Sequence, residues 1–265
     1  AGLKMDRRAP PSSDEYTMAL LAALPLSMRE RYPHVGVIGF GSGMTSHYLL
    51  GSPRVARVDT VEIEPMMVEG ARLFGDRVHR AFDDPRSHVV IDDAKSYFSA
   101  AGTKYDLIVS EPSNPWMGGT ASLFSDEFYR FIPRHLAEGG LFVQWLQLYE
   151  IDAPLVSSVL TAMLGHFEDV QAYIANGGDL VLVASPRGRV PAATGRVFDD
   201  AALREELARL GIRNARDLQD GFLMDRRGLE AYASLYPVQP NSDFFPILQL
   251  NAPVARFMNR GVDLA

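Results

Sequence analysis

The sequence predicts an α/β fold: a doubly wound, mostly parallel sheet with a small helical appendage at its C-terminal end. Three observations point there. Short apolar runs alternate with amphipathic segments across residues 30–185, the pattern of successive strand–helix–strand units. The most chemically loaded stretches fall just after those apolar runs, where open α/β sheets bind ligands. The chain has 265 residues, of which 47% are hydrophobic and 22% charged, enough for one large core or one domain with an extension.

The elements read in order as follows. Residues 1–13, "AGLKMDRRAPPSS", form a polar, Pro-rich lead-in, and helical spacing runs from Asp14 to Met28. "HVGVIGF" is a buried strand and "TSHYLLG" opens a helix; "RVDTVEIE" is the second strand. "PMMVEGARLFG" is a helix, with Pro65 in its first turn and Gly75 at its end. "SHVVID" and "AKSYFSAAG" give a third strand and helix, and "YDLIVSEP" a fourth strand ending at Ser110. "SDEFYRFIPRHLAEGG" reads as one helix capped by Ser125 and closed by Gly139 and Gly140. "LFVQWL", "DVQAYIA" and "DLVLVAS" are strands, with the helix "APLVSSVLTAMLGHF" among them. After Ser185 comes a linker, then helices at 201–210 and 226–235, and "NSDFFPILQL" reads as a turn plus a short edge strand. The expected organisation is a lead-in and helix (1–29), a nucleoside-binding α/β domain (30–185) and a helical extension on the core (186–265).

Composition excludes several function classes. The chain has no cysteine, which removes disulfides, thiolate metal sites and cysteine nucleophiles and is compatible with an intracellular place. The net charge is −7 with no basic run, against a nucleic-acid partner. The longest apolar stretch, "MALLAALPL", is too short to span a bilayer. The six histidines lack ligand spacing, so no metal is expected. A start at "AGLKM" suggests a processed, tagged or excised piece of a longer chain.

The first strand runs into "GFGSG", with Gly39, Gly41 and Gly43. Glycines there allow a tight turn and close approach of a ligand to the main chain, although such a turn is also an ordinary connector. Glu62, at the end of the second strand, can accept both hydroxyls of a ribose. A dinucleotide G-x-G-x-x-G pattern would need a small residue where Met44 stands. The observed spacing therefore suits an adenosyl sulfonium, which has no pyrophosphate, better than NAD. Asp92 and Asp93 follow the third strand. A carboxylate there can accept from an adenine amine while the Ala94 N–H meets a ring nitrogen; Asp93 is equally a good helix N-cap.

"SEPSNPWMGG" follows the fourth strand. Pro112 and Pro115 stiffen a turn that carries Glu111, Ser113, Asn114 and Trp116. Glu111 is the candidate general base toward an amine, Asn114 offers an acceptor, and Trp116 either walls the substrate or is core. Gln144 and Trp145 either line the acceptor pocket or pack as strand residues. Met66, Met67 and Met163 read as core, and Asp243 as a turn residue within reach of the cleft.

The run through "VGVIGFGSG", "DTVEIEP", "DDPRSHVVIDDAKSYF", "YDLIVSEPSNP" and "SLFSDEFYRFIPRHLAEGGLFVQW" resembles the spermidine/spermine synthase family, over about residues 14–185, and specifically its spermidine synthase-like branch. The resemblance implies a Rossmann-like sheet of methyltransferase type and aminopropyl transfer from decarboxylated S-adenosylmethionine, or alkyl transfer from S-adenosylmethionine, to a small amine. It implies that Glu62 holds the ribose, that Asp93 binds the adenine amine, that Gly39, Gly41 and Gly43 pass the tail, and that Glu111 takes the amine proton. It further implies a cytoplasmic homodimer, in some members fused to a membrane region. Two departures bear on the acceptor. The family's D-x-x-D-P is Glu111-Pro-Ser-Asn114-Pro here, so the second acid is neutral. The N-terminal Tyr-His/Gln-Glu cluster matches Thr17, Met18 and Ala19, with Tyr16 one residue away, and the N-terminal β-hairpin domain is missing or truncated. The acceptor dication thus loses carboxylate partners. The rival readings are an S-adenosylmethionine-dependent methyltransferase, a non-catalytic nucleoside-binding domain of a membrane fusion, and, from the glycine turn alone, an NAD-dependent reductase.

Overall fold

The structure, a computed structural model, describes residues 13–262; the lead-in expected at the N-terminus lies, but for Ser13, outside them. Eight strands form one sheet in the order β3-β2-β1-β4-β5-β7-β6-β8: β1 Tyr32–Ile38, β2 Val55–Glu62, β3 Ser87–Ile91, β4 Tyr105–Ser110, β5 Leu136–Gln147, β6 Asp169–Ala175, β7 Asp179–Ser185 and β8 Phe222–Met224. The first five pair in parallel, and β7, β6 and β8 extend the sheet antiparallel. This is the expected doubly wound, mostly parallel sheet.

The strands are apolar on both faces because helices cover both. Val35, Val37, Leu107, Val109, Leu141 and Val143 point to one layer. There α1 (Ser13–Met28) and α2 (Met44–Leu50) pack, joined by α8 (Ala201–Arg209) and α9 (Ala215–Gln219). Ile38, Ile108, Phe142 and Leu146 point to the other layer. It holds α5 (Ala94–Ala101), α6 (Asp126–Phe131), α7 (Ala153–Leu164), α10 (Arg226–Leu235) and α11 (Ile247–Phe257). The short α3 (Pro65–Ala71) and α4 (His79–Asp83) cluster with Phe40 beside the first crossover.

The order reverses between β1 and β4, and a crevice opens where their carboxyl ends separate. Both ends are pinned there. The Gly39 N–H donates to the Val61 carbonyl and the Glu111 N–H to the Ile38 carbonyl, each at 2.9 Å. Gly39 has φ of 91°, and a Cβ on it would lie 2.3 Å from the Glu111 carbonyl oxygen.

Three expectations are corrected. The segment 125–140 is not one helix: α6 is capped by Ser125 as expected, but it ends ahead of Pro133, whose ring disfavours helical continuation and whose missing N–H cannot serve the ladder. A single 3₁₀ turn follows, and β5 starts at Leu136. Gly139 and Gly140 lie within that strand, where pairing with β4 shifts register. "NSDFFPILQL" forms its turn, but the apolar residues after it build α11 rather than an edge strand. Leu248, Ala252 and Ala255 recur at helical spacing and are buried against the α7 side. The helix opened by Pro65 stops at Ala71 and continues as 3₁₀ turns in which Gly75 has φ of 58°. The strand β8 and helix α9 were not expected.

Gly39→Ala is expected to cost about 2 kcal/mol or more of unfolding free energy, because strain and a backbone clash coincide. Gly70→Ala, on α3 with nothing within 4 Å of an added Cβ, is expected to add about 0.5–1 kcal/mol. Urea unfolding of both variants checks this; equal effects would mean that the close approach of β1 to Glu111 constrains nothing.

Candidate active site

A cavity of 510 Å³ sits in that crevice, roofed by the start of α1 and by the turn after β4. Of the residues expected to form the site, Gly39, Gly41, Glu62, Asp92, Asp93, Ala94, Glu111 and Ser113 line it together.

At one end, Glu62 closes β2 with its side chain almost buried. Its Oε2 accepts from the Phe40 N–H and its Oε1 from the Glu64 N–H, both at 2.9 Å. Two backbone donors therefore hold the carboxylate in one orientation, and its free lone pairs are the only ones left for a ligand. Asp92 and Asp93 follow at the end of β3. Asp93 is the N-cap of α5, accepting from the Ser96 N–H at 2.9 Å, and it faces the cavity as well; the two readings of this residue are compatible. Ile63 and Met67 add apolar wall. Met66 and Met67 are exposed, 70% and 41%, rather than core, because α3 turns that face outward; Met163 is fully buried.

At the other end Glu111 accepts from the Thr45 hydroxyl at 2.5 Å. Desolvation pushes its pKa up to about 7, with a further rise from the charge of Asp179 and a partial offset from the Thr45 bond. Asp179, the first residue of β7, is 9% exposed. Its Oδ2 accepts from the Thr17 hydroxyl at 2.6 Å and its Oδ1 from the Trp145 indole N–H at 3.0 Å. Burial, and then the nearby charge of Asp14, raise its pKa. Asp14, Thr17, Met18, Trp145, Tyr149 and Asp179 all line the cavity. Trp145 is a residue the sequence offers for this place, and Thr17 and Met18 match the stretch where the family's amine cluster is lost. Asp14, Tyr149 and Asp179 were not foreseen: they come from three separate elements, and only the packing of α1 over β5 and β7 joins them.

Five expected residues lie elsewhere. Gly43 is the left-handed N-cap of α2, outside the cavity lining, where an added Cβ would meet the Phe40 ring. Tyr16 is half-buried on the opposite side of α1, where burial and then Asp217 and Asp220 raise its pKa. Asn114 points to the rim and donates to the Tyr149 hydroxyl at 3.3 Å. Trp116 packs on the second core cluster under the Arg256 guanidinium, 4.9 Å from the ring centroid. Gln144 is fully buried in the sheet and donates to the Ser110 and Trp145 carbonyls.

The lining carries six carboxylates (Asp14, Glu62, Asp92, Asp93, Glu111 and Asp179) and, among the described residues, no Lys, Arg or His. No described cluster of three or more His, Cys, Asp or Glu is placed to hold a metal ion. No described helix is long and apolar enough to cross a membrane.

Sheet order and cleft position define a Rossmann-like α/β protein of methyltransferase type with an acidic pocket at its switch point. The chain belongs to the spermine/spermidine synthase domain family, whose model matches residues 15–176. It is 28% identical over 155 residues to a polyamine aminopropyltransferase of Caldicellulosiruptor bescii, covering 58% of this chain and 55% of the relative. It is 29% identical over 201 residues to one from Thermoplasma volcanium, covering 72% and 73%. The chain spans about half the length of several curated relatives that it matches. In fold it is similar to a spermidine synthase crystallised with the transition state analogue AdoDATO, with a TM-score of 0.67 and 20% identity over 84% of this chain and 76% of that one.

Glu111→Gln is expected to stabilise the protein at alkaline pH. The folded pKa of Glu111, about 7, stands above its ordinary 4.5. The protonated form is therefore favoured in the fold, and that contribution is complete below about pH 4.5 and lost as pH rises through 7. It amounts to an order of magnitude of 3 kcal/mol. Melting curves from pH 5 to 8.5 should show the wild type falling toward, then below, the variant; parallel curves would mean that Glu111 does not titrate in this range.

Proposed function

We propose that the protein transfers an aminopropyl group from decarboxylated S-adenosylmethionine to a primary amine. The observation that carries this reading is the charge of the cavity: six carboxylates and no described cationic side chain. Such a lining attracts a sulfonium bearing an ammonium and an amine acceptor, and it opposes the carboxylate that S-adenosylmethionine keeps on its tail. Family membership and the named relatives support the same chemistry.

In this reading Glu62 receives the ribose hydroxyls and the loop at Asp92, Asp93 and Ala94 receives the adenine, with Gly39 and Gly41 leaving room for the tail. Ile63 and Met67 lie against the base. Glu111 accepts a proton from the acceptor ammonium, freeing a nitrogen lone pair. That pair forms the new bond to the methylene carbon beside sulfur. The C–S bond breaks toward sulfur, so the sulfonium leaves as neutral methylthioadenosine and the proton stays on Glu111 until solvent removes it. A carboxylate with a pKa near 7 is ionised often enough at neutral pH to act and basic enough to hold the proton. The cavity fixes donor and acceptor in line, which supplies much of the rate.

Purified protein incubated with 1,4-diaminobutane and each adenosyl compound tests the reading. Methylthioadenosine should form from decarboxylated S-adenosylmethionine, with kcat/KM rising with pH and levelling above about 7. Glu111→Gln should lower kcat about 10²–10⁴-fold with nucleoside affinity unchanged. S-adenosylhomocysteine from S-adenosylmethionine, or no methylthioadenosine at all, would overturn it.

A further inference from the structure

We propose that Asp179, oriented by Thr17 and Trp145 and backed by Asp14, is the carboxylate that holds the distal ammonium of a linear diamine acceptor. This deepens the aminopropyl-transfer reading and rests on it. The family motif implies an acid at position 114 that grips the acceptor amine, but Asn114 is neutral and its amide already donates to Tyr149 at the rim. A compensating charge is needed from another element, and Asp179 is placed to supply it.

The residue is 9% exposed, lines the cavity, and pairs with no Lys, Arg or His among the described residues. Buried carboxylates ordinarily have a cationic partner. The two hydrogen bonds it does accept are neutral and directional. Thr17 gives its one hydroxyl proton to Asp179 at 2.6 Å and therefore accepts from the Asn176 amide at 2.9 Å. Trp145 holds the other oxygen at 3.0 Å. The carboxylate is thus fixed in orientation, with no cationic partner among the described residues. Asp14, one helical turn before Met18 on α1, lies on the same cavity wall. Glu111 stands across the cavity, close enough for the Asp179 charge to raise its pKa. A diamine of two ammonium groups matches this arrangement: one end meets Glu111 and reacts, the other sits against Asp179 and Asp14. A monoamine satisfies only the first.

Calorimetric titration of 1,4-diaminobutane and of butylamine into the full chain loaded with methylthioadenosine tests this without requiring turnover. Wild type should bind the diamine at least tenfold more tightly than the monoamine. Asp179→Asn should weaken diamine binding about 10–100-fold, leave butylamine within about threefold and leave methylthioadenosine affinity unchanged, which also reports correct folding. Asp14→Asn, at an exposed position, should weaken diamine binding by a smaller factor. Unchanged diamine affinity in Asp179→Asn, or no preference for the diamine in wild type, would overturn the proposal. Loss of diamine binding in the variant combined with no methylthioadenosine from wild type would leave the amine subsite standing and remove the aminopropyl-transfer reading.

Discussion

The geometry depends on one close approach. Gly39, just after β1, lies so close to Glu111, just after β4, that an added Cβ would sit 2.3 Å from the Glu111 carbonyl oxygen. Because β1 and β4 are the adjacent strands from which the sheet is wound in opposite directions, this contact sets how wide the crevice is and where both of its halves stand. The Phe40 N–H then orients Glu62 toward one half, while Glu111 projects its side chain into the other. The Glu62 end and the Glu111 end of the cavity are two sides of a single backbone junction.

Helix α1 supplies the wall that closes the second half. Most of its length is apolar and fully buried, so hydrophobic burial holds it on the sheet. Its first turn is held by a different device. Glu15 forms a buried ion pair with Arg77 and accepts from the Tyr48 hydroxyl at 2.9 Å. Removing the Glu15 charge would leave the buried Arg77 without its ion-pair partner, a cost of roughly 3–5 kcal/mol. The bridge therefore fixes the rotation of α1 about its axis. That rotation puts Asp14, Thr17 and Met18 on the cavity and turns Tyr16 toward α9.

This explains which residues were legible in the sequence. The strand-end motifs of β1 to β4 each lie within a few residues of an apolar run, so local pattern locates them, and the structure gathers Gly39, Glu62, Asp92, Asp93 and Glu111 into one cavity. Asp179 and Tyr149 carry no such signal. Asp179 opens an ordinary apolar strand, and it reaches the site only because β7 runs antiparallel beside β5, which brings its first residue to the carboxyl end of the sheet. Tyr16 and Thr17 are neighbours whose assignment turns on helix rotation, a tertiary property. The errors in 125–140 and 241–250 are local: Pro133 outweighed the favourable helical residues after it, and "PILQL" fits a strand or the start of a one-sided helix until its partner is known.

The cavity concentrates like charge, and that has a thermodynamic consequence. Six carboxylates around 510 Å³ repel one another in a space where water screens poorly; burial first, and then the charge of a neighbouring carboxylate, raises the pKa of both Glu111 and Asp179. Each cation entering relieves part of that repulsion, but two cations in one pocket also repel each other, so through the field alone the first reduces the attraction left for the second. The same arrangement favours release. In the proposed aminopropyl transfer, once the sulfonium becomes a neutral thioether, one positive charge moves from the nucleoside to the acceptor nitrogen or to the proton on Glu111, and the nucleoside product loses its electrostatic hold while the fixed backbone bonds at Glu62 are unchanged. In that reaction an acidic pocket discriminates between the charged reactant nucleoside and its neutral product without any side chain having to move.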